Sequence, residues 1–187
     1  MGIEIVKKLI LLLMLSLWIG SVPAREMGPV SSEEDNFYVE DYVWEERAIT
    51  LPSYPKDSDL LEFDVDVADS PFRYYIDPES LSFNLEEGVV RYTLVIRSGR
   101  GGENVAYEGI RCTTSEYKVY AYGSRGRLRP TSNPKWRSVS NIGNTRYRGD
   151  LSVHYLCGRK FEVMSKEKML QNLRYGGAPT GSIFNKR

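Results

Sequence analysis

The chain has 187 residues, of which 41% are hydrophobic and 27% are charged, proportions that suit one globular domain with room for a tail. The sequence has no internal repeat and no low-complexity segment, which excludes a repeat array. Its net charge is zero, yet residues 25–90 contain 18 acidic and 4 basic side chains (net −14), while residues 91–187 contain 6 and 19 (net +13). Either the acidic part neutralises the basic part within one fold, or the basic part offers a surface to an anionic partner.

The N-terminus has the pattern of a secretory signal peptide. Two lysines precede an apolar run over residues 9–19, and Val22 and Ala24 fit the small-residue positions of a cleavage site. The run is shorter than the roughly 20 apolar residues that a membrane anchor needs. The sequence therefore predicts a signal peptide over residues 1–24, cleaved near Ala24, and a mature chain in the periplasm, the wider cell envelope or the medium. An uncleaved anchor is the alternative.

Residues 25–62 form an acidic segment with little aliphatic periodicity, which is typical of disorder or of an arm laid on a domain. The sequence predicts a partly disordered arm there and a β-rich domain over residues 63–176. Residues 58–67 (SDLLEFDVDV) are predicted as an edge-like strand, and residues 72–77 (FRYYID) as an aromatic strand that stops at Pro78.

Residues 89–123 predict three consecutive strands of a β-meander. In the first of them Val90, Tyr92, Leu94 and Ile96 alternate with other side chains, so these four are predicted to face the core. The glycines between the first two strands allow the positive φ angles that a hairpin needs.

The opposite side of this meander is predicted to face outward, with basic and aromatic side chains interleaved. A face of this kind either binds a ligand or is an ordinary solvated surface on which tyrosine and arginine stack. We treat it as a candidate binding face, whose members are Arg91, Arg97, Tyr107, Arg111, Lys118, Tyr120 and Tyr122.

The rest of the chain predicts a loop, a strand and a helix. Residues 141–150 have the composition of a loop, and residues 151–157 (LSVHYLC) alternate as a strand does. Residues 165–175 predict a helix, with Ser165 as its N-cap and two glycines after its end. Residues 177–187 are predicted to form a flexible tail.

Cys112 and Cys157 are the only cysteines. In an exported protein an isolated pair predicts a disulfide. Because the cysteines are 45 positions apart, the bond would remove roughly 4 kcal/mol of unfolded-state entropy. Metal ligation and a catalytic thiol are the alternatives, although two cysteines without a neighbouring histidine or third cysteine fall short of a structural zinc set.

The motifs that could carry chemistry are few. His154 is the only histidine, and no nucleophile turn of the GxSxG type accompanies it, so a hydrolase that uses His154 is the third hypothesis. Residues 125–129 (RGRLR) resemble an arginine-rich nucleic-acid patch, but export favours anionic lipids or polysaccharides as partners. Residues 148–150 (RGD) spell the integrin-ligand tripeptide, which chance places in on the order of a few per cent of chains this long.

Six pieces of the sequence together resemble the CNP1-like family (cryptic neisserial protein 1), a group of exported bacterial proteins of unknown function. They are RYYIDPESLSF (73–83), VVRYTLVIRS (89–98), ENVAYEGIRC (103–112), EYKVYAYG (116–123), NPKWR (133–137) and HYLC (154–157). The family brings no known catalytic residues. A weaker likeness, in the order of strands, cysteines and terminal helix, is to surface adhesin E proteins, and it implies contacts with host proteins or haem.

We therefore expect one α+β domain, an antiparallel sheet of five or six strands with a C-terminal helix packed on it. We expect a non-catalytic periplasmic binding or interaction module without a cofactor or metal. Its expected partner is an anionic envelope component or another periplasmic protein, not nucleic acid, and it meets the membrane only through the signal peptide during export. An outer-membrane-associated adhesin is the alternative.

Overall fold

The computed structural model describes residues 43–177, apart from the side chain of residue 144. The predicted signal peptide, the acidic residues before residue 43 and the tail after residue 177 lie outside the described residues. Within them, an antiparallel sheet carries helices on one face and the segment of residues 43–55, which we call the covering segment, on the other. This arrangement confirms the predicted α+β class. No helix in this part of the chain has the length and apolarity to cross a membrane.

Seven strands form the sheet within residues 43–177. Six of them follow one another across the sheet in chain order, each antiparallel to the next, and the seventh pairs with the beginning of the fifth, on the edge that the sixth also occupies. They are β1 (Leu61–Phe63), β2 (Phe72–Asn84), β3 (Val89–Ser98), β4 (Glu103–Arg111), β5 (Glu116–Ser124), β6 (Arg127–Pro130) and β7 (Arg137–Ser138).

β3 is a central strand that is buried on both faces. Val90, Tyr92 and Leu94 lie in the main core as predicted, and Ile96 packs against that core near the end of the strand. The residues between them, at positions 91, 93 and 95, are buried as well, because the covering segment closes the other face. The side of β3 that was predicted to face outward is therefore shielded from water.

β2 continues past Pro78, where the sequence predicted its end. Its pairing with β3 shifts between Asp77 and Ser82, so the strand passes Pro78 by bulging away from the ladder. Within the bulge the Ser80 hydroxyl accepts the backbone N–H of Thr93 at 2.7 Å, which replaces a ladder hydrogen bond.

The helical layer contains α1 (Tyr147–Asp150), which continues as a π-helical turn over Leu151–Leu156, and α2 (Lys166–Tyr175). α2 confirms the prediction for residues 165–175. The Ser165 hydroxyl accepts the backbone N–H of Lys168 at 3.3 Å, which is the expected N-cap contact.

The predicted strand over residues 151–157 is wrong, since Leu151–Leu156 continue the helix of α1 and only Cys157 is extended, in an isolated bridge to Val163. Tyr147, Leu151 and Tyr155 recur every four residues, the spacing of one helix face, and all three are buried in the main core. Val153, which a strand would place beside Leu151, is 49% exposed.

A disulfide joins Cys112, directly after β4, to Cys157, directly after the π-helical turn, with their Cα atoms 5.7 Å apart. The predicted pairing is thus confirmed. Both cysteines are buried in the main core. The bond fastens the sheet to its helical cover.

Candidate binding surface

The covering segment places a carboxylate on the predicted binding face. Glu46 accepts hydrogen bonds from Lys118 Nζ (2.5 Å), the Tyr120 hydroxyl (2.6 Å) and the Trp136 indole N–H (3.3 Å). The Arg91 guanidinium lies 3.6 Å from the same carboxylate. Burial raises the pKa of Glu46, but the hydrogen bonds from Lys118 and Tyr120 outweigh it, so the net effect is a lowered pKa. An anion of the chain itself therefore occupies this face.

Arg91 is buried between two carboxylates. It is only 7% exposed, and besides Glu46 it meets Glu87, whose two oxygens accept its N–H groups at 2.9 and 3.1 Å. The covering segment holds the same carboxylate through the backbone N–H of Arg47. Burial raises the pKa of Glu87, but hydrogen bonds from Arg91 and Arg47 outweigh it and lower the pKa overall. The charge of Arg91 is thus neutralised inside the fold.

Two tyrosines of the predicted face lie under the covering segment as well. Tyr107 and Tyr120 are 3% and 4% exposed, and Ile49 and Leu51 pack against them. The prediction that the face is open to solvent is therefore wrong for Arg91 and for both tyrosines. Whether any member of the set binds a partner stays a prediction.

Two further arginines of the set are half-buried and engaged with neighbours. Arg97 pairs with Asp57 (2.6 Å) and Glu103 (2.9 Å). The Arg111 guanidinium lies 4.0 Å from the centre of the Trp44 ring, which places a cation over an aromatic face. The contacts of Arg97 with Asp57 and of Arg111 with Trp44 join the acidic part of the chain, residues 25–90, to the basic part, residues 91–187.

Tyr122 lies on the opposite face of the sheet from the one predicted. The pairing of β4 with β5 shifts by one residue beside Tyr107, where Tyr120 is the extra residue of a bulge. Beyond the bulge Tyr122 pairs with Ala106 and faces the helical side, where it is 49% exposed. Gly109 makes room for the bulged ring, because a Cβ atom there would lie 2.8 Å from the Tyr120 hydroxyl.

A second buried ion pair lies on the helical side of the sheet. Arg148 donates to both oxygens of Glu108, at 2.9 and 2.5 Å, and its guanidinium lies over the rings of Tyr117 (4.0 Å) and Tyr147 (4.6 Å). Burial lowers the pKa of Arg148, but Glu108 outweighs it, so the net effect is a raised pKa. The sequence offered no signal for this pair, since its members are 40 residues apart.

The RGD tripeptide of residues 148–150 is folded into this interior. All three residues are buried, and the Asp150 carboxylate accepts the backbone N–H of Asp66 at 2.8 Å. A buried tripeptide gives no support to the adhesin alternative.

His154 packs edge-to-face against Tyr155, with their ring centres 6.4 Å apart. Within residues 43–177 no carboxylate or hydroxyl forms a hydrogen bond with its ring. The same residues contain no group of three or more His, Cys, Asp and Glu side chains placed to hold a metal ion. Nothing in this environment supports the hydrolase hypothesis.

A set of exposed cations lies along β6, β7 and the loops beside them, and we call it the basic edge. No acidic residue occurs between residues 117 and 149. None of these cations forms an ion pair within the described part of the chain, in contrast to Lys118 and Arg148. The members of the basic edge are Arg125, Arg127, Arg129, Lys135 and Arg137.

An open groove of about 340 Å³ lies on the helical side of the sheet, near the β3–β4 hairpin. Its apolar part is formed by Phe72, Tyr74 and Ile96, on neighbouring strands β2 and β3. The rest of its lining is Ser98, Gly102, Glu103 and Asn104.

A protein-family model matches residues 39–174, which include the whole sheet and nearly all of the helical layer. The chain belongs to the CNP1-like family. No curated protein and no solved structure matches this CNP1-like chain, so the likeness to surface adhesin E proteins stays a prediction.

Sequence reasoning found the cations of this CNP1-like domain but missed the residues that engage them. Glu46 was assigned to an acidic arm that is either disordered or laid on the domain, and residues 43–55 of that arm lie on the sheet. A signal was present: Trp44 and Glu46, like Ile49 and Leu51, are two residues apart. An extended chain places residues at that spacing on one face.

Proposed function

We propose that this CNP1-like protein is a non-catalytic binding module of the periplasm that holds an anionic partner on its basic edge. The observation that carries the proposal is the contrast between two groups of cations. Arg91, Lys118 and Arg148 are neutralised by buried or half-buried carboxylates, whereas the five members of the basic edge have no ion pair within residues 43–177. Clustered, uncompensated cations attract anions to one edge of the molecule.

Two features support the periplasmic part of the proposal. Residues 1–24 have the signal-peptide pattern, and a disulfide of the kind that persists in oxidising compartments fastens the fold. The polyanions available to an exported protein are envelope lipids and polysaccharides, so an anionic envelope component is the partner class.

The test is retention of the mature chain on immobilised heparin, a polyanionic probe, in a rising salt gradient. The variant Arg127→Gln/Arg129→Gln removes two charge contacts, each worth about 0.5–1 kcal/mol at an exposed site, so binding should weaken roughly 5- to 30-fold. The matched control Arg100→Gln/Arg159→Gln removes the same net charge from two other exposed arginines.

The proposal expects earlier elution of the first variant and nearly unchanged elution of the control. Equal shifts in both variants would mean that only the net charge matters. No shift in either would mean that the basic edge holds no anion. Both of these results would overturn the proposal.

A further inference from the structure

We propose that the groove, which shares a face of the sheet with Arg127 and Arg129, holds the hydrocarbon chain of a single-chain anionic amphiphile whose head group binds these two arginines. This inference rests on the proposed function and adds the chemical class of the ligand to it.

The groove is a place where the sheet exposes apolar surface. α1 and α2 cover the neighbouring part of this face, but Phe72 at the groove is 36% exposed and Ile96 is half-buried. A volume of about 340 Å³ lies in the range of small-ligand sites, which are mostly apolar clefts with a few polar groups. Tyr74 at the groove stacks on Tyr147 of α1, with ring centres 5.3 Å apart, so its position is fixed.

The groove and two members of the basic edge lie on the same face of the sheet. Directly paired residues of antiparallel strands project to the same side of a sheet. Ala106 of β4 faces the helical side, so its partner Tyr122 and that residue's partner Arg129 face the same side. Arg127, two residues from Arg129, shares its side, while Leu128 between them packs on the opposite one. β6 is three strand spacings, or about 14 Å, from β3, which carries Ile96 of the groove.

Tyr122 lies between the two parts of this surface and is half exposed. Its ring has an apolar body and a polar tip, which suits the boundary between a hydrocarbon chain and a charged head. The surface therefore runs from apolar to aromatic to cationic across the strands from β3 to β6.

The charges around the groove favour an anionic head group. Glu103 is the only ionisable carboxylate among the groove residues, and it is paired with Arg97 at 2.9 Å. Arg127 and Arg129 have no such partner within residues 43–177. A polysaccharide would bind the cations and leave the groove empty, whereas an anionic amphiphile would bind the cations with its head group and the groove with its hydrocarbon chain.

The experiment measures binding of lysophosphatidylglycerol to the mature chain by calorimetry below the micellar concentration. Lysophosphatidylcholine of the same chain length tests the charge of the head group, and glycerol phosphate tests the head group without a chain. The inference expects about tenfold weaker binding of the zwitterionic lipid. It also expects roughly tenfold weaker binding when the chain is shortened by two methylene groups.

The groove is tested with Asn104→Trp, which adds an indole at an exposed groove position and removes no buried contact. The matched control is Leu85→Trp, at an exposed site in the β2–β3 turn at the other end of the sheet. The first variant should lose at least about tenfold in affinity for lysophosphatidylglycerol, and the control should bind like the natural chain. Circular dichroism and thermal unfolding verify that both variants are folded.

The results separate this inference from the proposed function. If heparin retention depends on Arg127 and Arg129 while chain length and Asn104→Trp have no effect, the basic edge stands and the amphiphile is refuted. If neither heparin nor lysophosphatidylglycerol responds to Arg127→Gln/Arg129→Gln, the proposed function fails as well.

Discussion

At the scale of single residues, Glu46 is the side chain on which the covered face depends. Its carboxylate contacts four side chains, from β3, β5 and the residue before β7. They are Arg91, Lys118, Tyr120 and Trp136. Burying a charged side chain away from water raises its free energy unless an opposite charge and hydrogen bonds replace the water. The carboxylate of Glu46 and the cations of Arg91 and Lys118 therefore each offset the unfavourable burial of the other.

We predict that Glu46→Gln lowers the free energy of unfolding by about 2 kcal/mol, because it leaves two shielded cations without their shared carboxylate. Urea unfolding of the mature chain measures the change. Glu62→Gln is the matched control, since Glu62 pairs with Arg73 at the surface and should lose no more than about 0.5 kcal/mol. Equal effects of the two substitutions would contradict the role of Glu46.

The same variant has a predicted pH signature. The pKa values of Glu46 and Glu87 are lowered from the ordinary 4.5, so the unfolded chain binds more protons below that pH. The contribution of these two carboxylates to the free energy of unfolding is complete above pH 4.5 and is lost as the pH falls through their folded-state pKa values. The free energy of unfolding should therefore fall on acidification from about pH 6 to about pH 3, and less steeply in Glu46→Gln. Parallel profiles would be inconsistent with this ion-pair role.

At the scale of elements, the bulge in β5 decides which side chains share a face. Sequence alternation correctly predicted the core side of β3, because no irregularity interrupts that strand from Val90 to Ile96. It failed for Tyr122, because one extra residue reverses the alternation and nothing in the local sequence marks it.

We predict that Gly109→Ala destabilises the fold by about 2 kcal/mol, because the new methyl group would meet the Tyr120 ring and displace it from Glu46. Gly99→Ala is the control, since the nearest atom to a Cβ at that position is 4.0 Å away. Thermal unfolding compares the two variants. A Gly109→Ala chain as stable as Gly99→Ala would show that the ring adjusts freely.

The helical layer shows a second limit of sequence reasoning. α2 was predictable because its N-cap and apolar stripe are local signals. The apolar residues of the segment 151–157 recur at a two-residue spacing, which predicts a strand, and also at a four-residue spacing, which predicts a helix. The prediction of a strand was wrong. Tyr147, four residues before Leu151, is the signal that would have decided between them, and it fell inside a segment that was predicted as a loop.

At the scale of the whole molecule, the basic side chains include two groups, those paired with carboxylates of the acidic part and those without an ion pair within residues 43–177. Carboxylates of the acidic half engage cations of the basic half, as in the pairs of Glu46 with Lys118 and Asp57 with Arg97. The cations that remain without ion pairs within residues 43–177 form the basic edge. Internal neutralisation therefore accounts for these pairs, whereas an anionic partner for the basic edge stays a proposal, and composition alone gave no means of assigning residues to one or the other.

The ion pair of Glu108 and Arg148 links the sheet to the helical layer. We predict that Arg148→Met alone lowers the free energy of unfolding by about 3–5 kcal/mol, because it leaves the Glu108 carboxylate buried without a partner. Adding Glu108→Gln should restore at least about 2 kcal/mol, since the amide still accepts from Tyr92 without carrying a charge.

A double-mutant cycle by urea unfolding measures this coupling. Strictly additive losses would mean that the two side chains stabilise the fold independently. The variant Arg148→Lys tests geometry, because one ammonium group cannot reproduce the two parallel hydrogen bonds of the guanidinium.

The covering segment also has a consequence for the order in which the chain assembles. Each strand from β1 to β6 pairs with its neighbour in sequence, whereas Glu46 lies 72 residues before Lys118 and 90 residues before Trp136. Contacts that close long loops carry a larger entropic cost and form late. During synthesis Glu46 leaves the ribosome long before its partners exist. In a nascent chain the Glu46 carboxylate therefore stays unpaired until β3, β5 and Trp136 have been made, and the covered face closes only when the covering segment docks on the finished sheet.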